Sequence, residues 1–167
     1  SNPKTGGCRE IVPFEMTWLA QVFGFPKSVK GFAAKTMDVG APIHDTYSMV
    51  MDYGNFVAML TVDVVSRHAV RQLGLNMEKG QVIWNWENPA IQLYSAQDQK
   101  WFSIELKQGK SEAGYNKNIA EDMYIDEVNS FLNAASRKGT YPTNLDYDIN
   151  VLNVLNEVEA NAGVTIG

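Results

Sequence analysis

Between Lys27 and Leu106 the chain is punctuated by turns too often to form anything but hairpins. Seven segments rich in β-branched and aromatic residues follow one another: "SVKGFAAKTM", "DTYSMVMDY", "NFVAMLTVDVVSR", "AVRQLGLNM", "QVIWNW", "AIQLYS" and "KWFSIEL". Short turn signals separate several of them, "YGN" around Gly54, "EKG" around Gly80 and "ENP" before Ala90. Parallel neighbours need a crossover of about a dozen residues or more. The spacing therefore predicts a largely antiparallel sheet.

The segment Asn55–Arg67 adds a second constraint. Its even positions carry Phe56, Ala58, Leu60, Val62 and Val64, and its odd positions carry Val57, Met59, Thr61, Asp63, Val65 and Arg67. Tyr47, Met49 and Met51 share one face of the preceding strand, with Val50 on the other. A sheet with one wet face alternates more cleanly than this. The pattern predicts helices on one face and a second subunit on the other.

Helical spacing flanks the strands. A first helix is expected from Val12 or Pro13 to Phe23, because proline suits a first turn. Gly24 and Pro26 stop it. Tyr124, Val128, Phe131, Leu132 and Ala135 form a stripe that ends at Gly139, and Val151, Val154, Leu155 and Val158 form another before Gly163. The order of helix, strands and two helices defines an α+β fold: an open, mostly antiparallel sheet with helices packed on one face.

Composition narrows the class of function. At 167 residues, 45% of them hydrophobic and 20% charged, the chain fits one ordinary globular domain. No apolar run approaches the roughly 18 residues of a membrane span, and no signal-peptide pattern is present. A net charge of −5 with scattered lysines argues against nucleic acid as a partner. Cys8 is the only cysteine, which excludes an internal disulfide framework, and a reducing cytoplasm is the expected compartment. Ser1-Asn2 has the look of an expression scar.

No P-loop, G-x-G-x-x-G, G-x-S-x-G or H-E-x-x-H motif occurs. His44 and His68 lack partners at metal-ligand spacing, so no metal site is expected. Glu15 is the residue that asks for an explanation. At about 100° per residue it projects into the stripe of Ile11, Phe14, Trp18, Leu19 and Val22. A carboxylate there costs several kcal/mol unless compensated. One reading makes it a first-turn cap stabilised by the helix dipole. The other groups Arg9, Glu10 and Glu15, beside Gly6-Gly7, as a polar-ligand site at a helix start. Arg9 and Glu10 are also adjacent enough to pair with each other. Asp63, Arg67 and Arg71 share strand parity and suit either an ion pair at a subunit contact or an oxyanion site. Trp84 and Trp86 share a face, with Tyr94 as a possible neighbour.

Read together, "TGG", "WLAQVFG" with Pro26 and Ser28-Val29, "DTYSMVMDYGNFVAML", "VRQLGLNMEKGQVIW" and "MYIDEVNSFLNAASRKGTYP" give a more specific pattern. In order and spacing they resemble the C-terminal domain of the Gfo/Idh/MocA (glucose–fructose oxidoreductase/inositol dehydrogenase) family, from Thr5 to Asn161. The resemblance implies residues 1–4 as a scar or linker remnant and 5–167 as a substrate-binding and oligomerisation domain. It further implies an N-terminal Rossmann domain, outside this chain, that binds NAD or NADP and supplies a catalytic lysine. The implied activity is hydride transfer to or from a sugar, cyclitol or related polyol, with this fragment alone inactive, binding no cofactor, and self-associating through its sheet. Counting from Gly6-Gly7, the family's aspartate and histidine positions hold Ile11 and Glu15, and a later family aspartate is replaced by Trp18. By this correspondence Glu15 takes the catalytic position, and Arg9 and Glu10 bind substrate. The alternative is a non-catalytic ligand-binding or assembly domain that keeps the fold without the chemistry.

Overall fold

The structure, a computed structural model, describes residues 6–88, 90–106 and 122–164. The proposed remnant at residues 1–4, Thr5 of "TGG" and Pro89 of the "ENP" turn lie outside the described residues. The elements run α1 (Cys8–Phe23), β1 (Ser28–Ala34), β2 (Thr46–Asp52), β3 (Val57–Asp63), β4 (Gln72–Met77), β5 (Gly80–Asn85), β6 (Ala90–Ser95), β7 (Lys100–Glu105), α2 (Asp122–Ala135) and α3 (Leu145–Asn161). Among the described residues all strand pairing is antiparallel, in two open sheets where the sequence suggests one, and the fold is α+β as expected. The chain forms two compact units, Ser1–Arg67 with Pro142–Gly167, and His68–Tyr141.

In the first unit the sheet order is β1-β2-β3, with Met49 opposite both Gly31 and Leu60. The period-2 alternation then sends Val29, Tyr47, Met49, Met51 and Val62 to one face, where all are buried. Helices α1 and α3 pack on that face. The opposite face carries Phe32 (78% exposed), Met59 (81%), Val50 and Val57. The two-sided apolar pattern of the sequence thus corresponds to one covered face and one bare one.

Helix α1 begins at Cys8, five residues before Pro13, and this corrects the expected start at Val12 or Pro13. Gly7 is the reason. It enters the helix at φ +63°, and a Cβ there would sit 2.8 Å from Ile43 Cδ1. Starting early lets Cys8, Val12, Met16, Leu19 and Ala20 form the buried stripe, with Pro13 absorbed inside the helix. Of the expected stripe only Leu19 is buried; Ile11, Phe14 and Val22 face solvent. The helix is apolar on two sides, and contact with the sheet selects one.

Helix α3 is capped by Asn144, whose side chain accepts from the Tyr147 N–H at 2.9 Å. Its buried residues are the expected Val151, Val154, Leu155 and Val158, joined by Glu159. Two of its side chains blunt the edge of the sheet: Glu157 accepts from the Val29 N–H and Asn161 donates to the Val29 carbonyl.

In the second unit β4-β5-β6-β7 form a meander. Register puts Leu75, Val82, Leu93 and Phe102 in one row of an apolar face. Trp84 shares that face through its pairing with Leu73. Tyr94 lies on the opposite face, opposite Gln81 and against Trp101, with ring centroids 5.3 Å apart. Tyr94 is therefore no neighbour of Trp84, and Trp86 falls beyond the end of β5. Helix α2 forms where its spacing predicts, with Tyr124, Val128, Phe131 and Leu132 each more than half exposed.

The connection from β1 to β2 is organised by Asp45, which is fully buried. Its carboxylate accepts from the N–H groups of Thr36 and Met37 and from the hydroxyls of Thr36 and Thr46. Burial alone raises its pKa, but the bonds from Met37 and Thr36 outweigh that and hold it at about 2. A pKa depressed below its unfolded value gives stability that is present above about pH 4 and lost on acidification towards the folded value. We expect the Thr36 and Met37 amide resonances to shift together as pH falls from about 4 to about 2. Asp45→Asn should remove that titration. Amides that stay fixed over this range would contradict the clasp.

Candidate functional site

The start of α1 gathers the residues that the sequence singled out. Gly6 and Gly7 take φ of +88° and +63°, a backbone that side-chain-bearing residues rarely adopt. They deliver Arg9 and Glu10 in the first turn. Arg9 turns towards α3: its Nε donates to Glu159 Oε1 at 2.8 Å and Nη2 to Oε2 at 3.3 Å. Tyr47 of β2 adds its hydroxyl to Glu159 Oε1 at 2.9 Å. The expected Arg9–Glu10 surface pair is thus replaced by an ion pair to a carboxylate only 1% exposed. The physical reason is that a buried charge demands a counter-charge far more strongly than Glu10, an exposed one. Burial, then the bond to Glu159, raises the Tyr47 pKa, so its proton stays in place as a donor.

Glu15 stands eighth in α1, two turns from the start, so the first-turn cap reading does not hold. Its Oε2 accepts from the indole Nε1 of Trp18 at 2.6 Å. Both residues are half-buried. Spacings of five and six residues set Glu15 about 140° and 240° around the helix axis from Glu10 and Arg9. The three share a helix but not a face.

Cys8 is buried between strands, its Sγ donating to the carbonyls of Asp45 and Val62 at 2.8 and 3.3 Å. Burial, with the charges of Asp63 and Asp45, raises the thiol pKa to about 11. It is a protonated structural donor and not a nucleophile. Asp63 accepts from the N–H groups of Val65 and Ser66, and the Ser66 side chain, then these N–H groups, lower its pKa. It caps a turn instead of pairing with Arg67. His44 packs edge-on against Tyr47, and His68 meets Glu87 at 2.6 Å on the surface. Among the described residues no three metal-ligating side chains cluster, and no helix is long and apolar enough to cross a membrane.

Sequence reasoning missed Glu159. The signal was present, because Glu159 falls eight residues after Val151 and four after Leu155, within the buried stripe of α3. It is the same anomaly that drew attention to Glu15.

No family model and no curated protein matches this chain. Solved structures do. An oxidoreductase by description from Klebsiella pneumoniae superposes with a TM-score of 0.74 at 18% identity, over 97% of this chain and 49% of that one. UDP-N-acetylglucosamine 3-dehydrogenase GnnA from Acidithiobacillus ferrooxidans gives 0.68 at 16% identity, over 92% and 46%. Biliverdin reductase from Synechocystis, solved with biliverdin and NADP+, gives 0.68 at 12% identity, over 95% and 47%. The chain spans about half the length of the solved structures it matches. Its fold is the one these oxidoreductases share over that half, consistent with a Gfo/Idh/MocA C-terminal domain.

The Arg9–Glu159 pair carries a direct test. Arg9→Met should lower the unfolding free energy measured in denaturant by about 3 kcal/mol, less to the extent that water reaches the quarter-exposed arginine side, because it strands a buried carboxylate. Adding Glu159→Gln to Arg9→Met should restore part of the loss. Strictly additive effects in this cycle would show that the two side chains do not depend on each other.

Proposed function

We propose that this chain is the substrate-binding and oligomer-forming half of an NAD(P)-dependent oxidoreductase acting on a sugar, cyclitol or related polyol. The observation that carries the reading is the superposition of nearly the whole chain on half of several oxidoreductases. One such relative is a UDP-sugar dehydrogenase by name, and another was solved with NADP+. Among the described residues no strand passes through a glycine turn into a helix. In this reading the nucleotide belongs to a Rossmann domain outside the chain, and the residues considered below handle only the substrate.

Glu15 is the proposed proton acceptor or hydroxyl-orienting group. The indole bond from Trp18 orients the carboxylate. A fixed rotamer is what a general base needs, since a reacting hydroxyl must lie within about 3 Å of it. Arg9 and Glu10 are the proposed substrate-binding groups at the helix start, Arg9 from a guanidinium anchored on Glu159. The second reading, a non-catalytic ligand-binding or assembly domain, is favoured by Ile11 and Glu15 standing where the resembling family has its aspartate and histidine.

One substitution separates the two. In the full-length enzyme Glu15→Gln keeps the shape and can still accept from the indole, but removes the proton acceptor. Turnover should fall about 100-fold or more, with the melting temperature nearly unchanged. Unaltered turnover would remove Glu15 from the chemistry, and a full-length protein that never turns over a polyol would favour the non-catalytic reading.

The bare face of the β1-β2-β3 sheet is the proposed contact between copies of this chain. Phe32, Val50, Val57 and Met59 form an uncovered apolar patch there. A two-fold dimer is the simplest closure. Replacing Val57 and Met59 with lysine should turn a dimer into a monomer in analytical sedimentation. A parent chain that sediments as a monomer at high concentration would refute the contact.

A further inference from the structure

The first unit contains a cavity of about 290 Å³ that lies between the β1–β2 connection and the turn after β3. Met37 and Val39 form one wall, Val64, Val65 and Ser66 the other, and Arg67 lines it. Both walls are held by carboxylates. Asp45 fixes the first through the N–H groups of Thr36 and Met37. Asp63 fixes the second through the N–H groups of Val65 and Ser66. These acids are committed to backbone donors. Asp38, which also lines the cavity, accepts from the Gly40 N–H and stands 3.8 Å from Lys35 Nζ. Arg67 has no ion-pair partner among the described residues.

We infer that this cavity is a binding site for a small organic oxyanion, gripped by Arg67 and packed against Met37, Val39 and Val64. The guanidinium fork is planar and always charged, and it matches a carboxylate or a phosphate group bidentately. The three apolar residues are 38–44% exposed, open enough to receive the hydrocarbon part of a ligand. Small-molecule pockets run from about 300 to 1,000 Å³, so this one suits a compact acid and not a dinucleotide. Lys35 stands against Asp38, the Asp45 and Asp63 carboxylates are turned onto backbone N–H groups, and Arg67 is the one cationic side chain that lines the cavity itself. The site shares no residue with Glu15, Arg9 or Glu10 and stands whether or not those residues act on a polyol.

The test is a titration of the isotopically labelled chain, followed by amide chemical shifts, with 3-phenylpropionate, phenyl phosphate and the neutral 3-phenylpropan-1-ol. Saturable shifts should be confined to residues 36–39 and 64–67. Either acid should bind about tenfold or more tightly than the alcohol, the scale of losing a hydrogen bond to a charged group. Whichever acid binds better identifies the headgroup. Arg67→Gln should weaken the acids by a similar factor and leave the alcohol unchanged. Val39→Glu, which sets a carboxylate in the cavity wall, should abolish acid binding. Both residues are exposed, so melting temperatures should hold in each variant. The inference fails if the alcohol binds as well as the acids, if Arg67→Gln binds them as the parent does, or if no probe saturates these resonances.

Discussion

The first unit depends on one buried carboxylate. Glu159 comes from the last helix, and its partners come from the first helix and the central strand, 150 and 112 residues away in sequence. A carboxylate that is 1% exposed is tolerable only when charge and hydrogen bonds replace the water it has lost. Arg9 supplies the charge and Tyr47 the neutral donor. Because each requires its own helix or strand in place, the cluster penalises any sliding of α3 along the sheet. With α3 set, its other polar contacts follow. Glu157 and Asn161 reach Val29, and the Tyr147 hydroxyl donates to the Thr17 carbonyl of α1 at 2.5 Å.

The same restraint positions the start of α1. Arg9 is held from the α3 side, and Cys8, one residue earlier, is held from the sheet side by the carbonyls of Asp45 and Val62. Asp45 in turn organises the β1–β2 connection through its carboxylate while its main-chain carbonyl accepts the thiol. Gly6 and Gly7 both take positive φ, and at Gly7 the missing Cβ leaves room for Ile43. The helix start is thus anchored by core contacts on two sides. A group placed farther along α1, such as Glu15, inherits that rigidity.

What the sequence made legible follows from which signals are local. Strand periods and turn residues are local, and the strands, the antiparallel pairing and the stripe of α3 were all readable from them. The start of α1 was not, because Pro13 looks like a first-turn residue and nothing nearby says that Cys8 and Val12 will meet the sheet. Its buried side was ambiguous for the same reason: Ile11, Phe14 and Val22 are as apolar as Val12 and Met16, and only tertiary contact separates them. The partner of Arg9 was beyond local reading, being 150 residues distant. From strand spacing Tyr94 is no more than a candidate neighbour of Trp84, whereas register, which requires knowing the pairing, puts them on opposite faces.

Glu15 and Glu159 pose the same question in the sequence and receive different answers in the structure. Glu159 sits in the buried stripe of its helix and meets a guanidinium and a phenol, the compensation that full burial demands. Its bonds are the reason the helices hold their places, and a ligand could take them over only by loosening the core. Glu15 lies off the buried stripe of its helix, half-buried, with an indole N–H from one turn away as a donor. A donor one turn away fixes the direction of the carboxylate, and half-burial leaves it partly open to solvent. A core charge is recognised by partners drawn from distant elements of the fold, which it ties together. By that criterion Glu159 is structural, while the Trp18 indole that holds Glu15 comes from the same helix and orients the carboxylate locally.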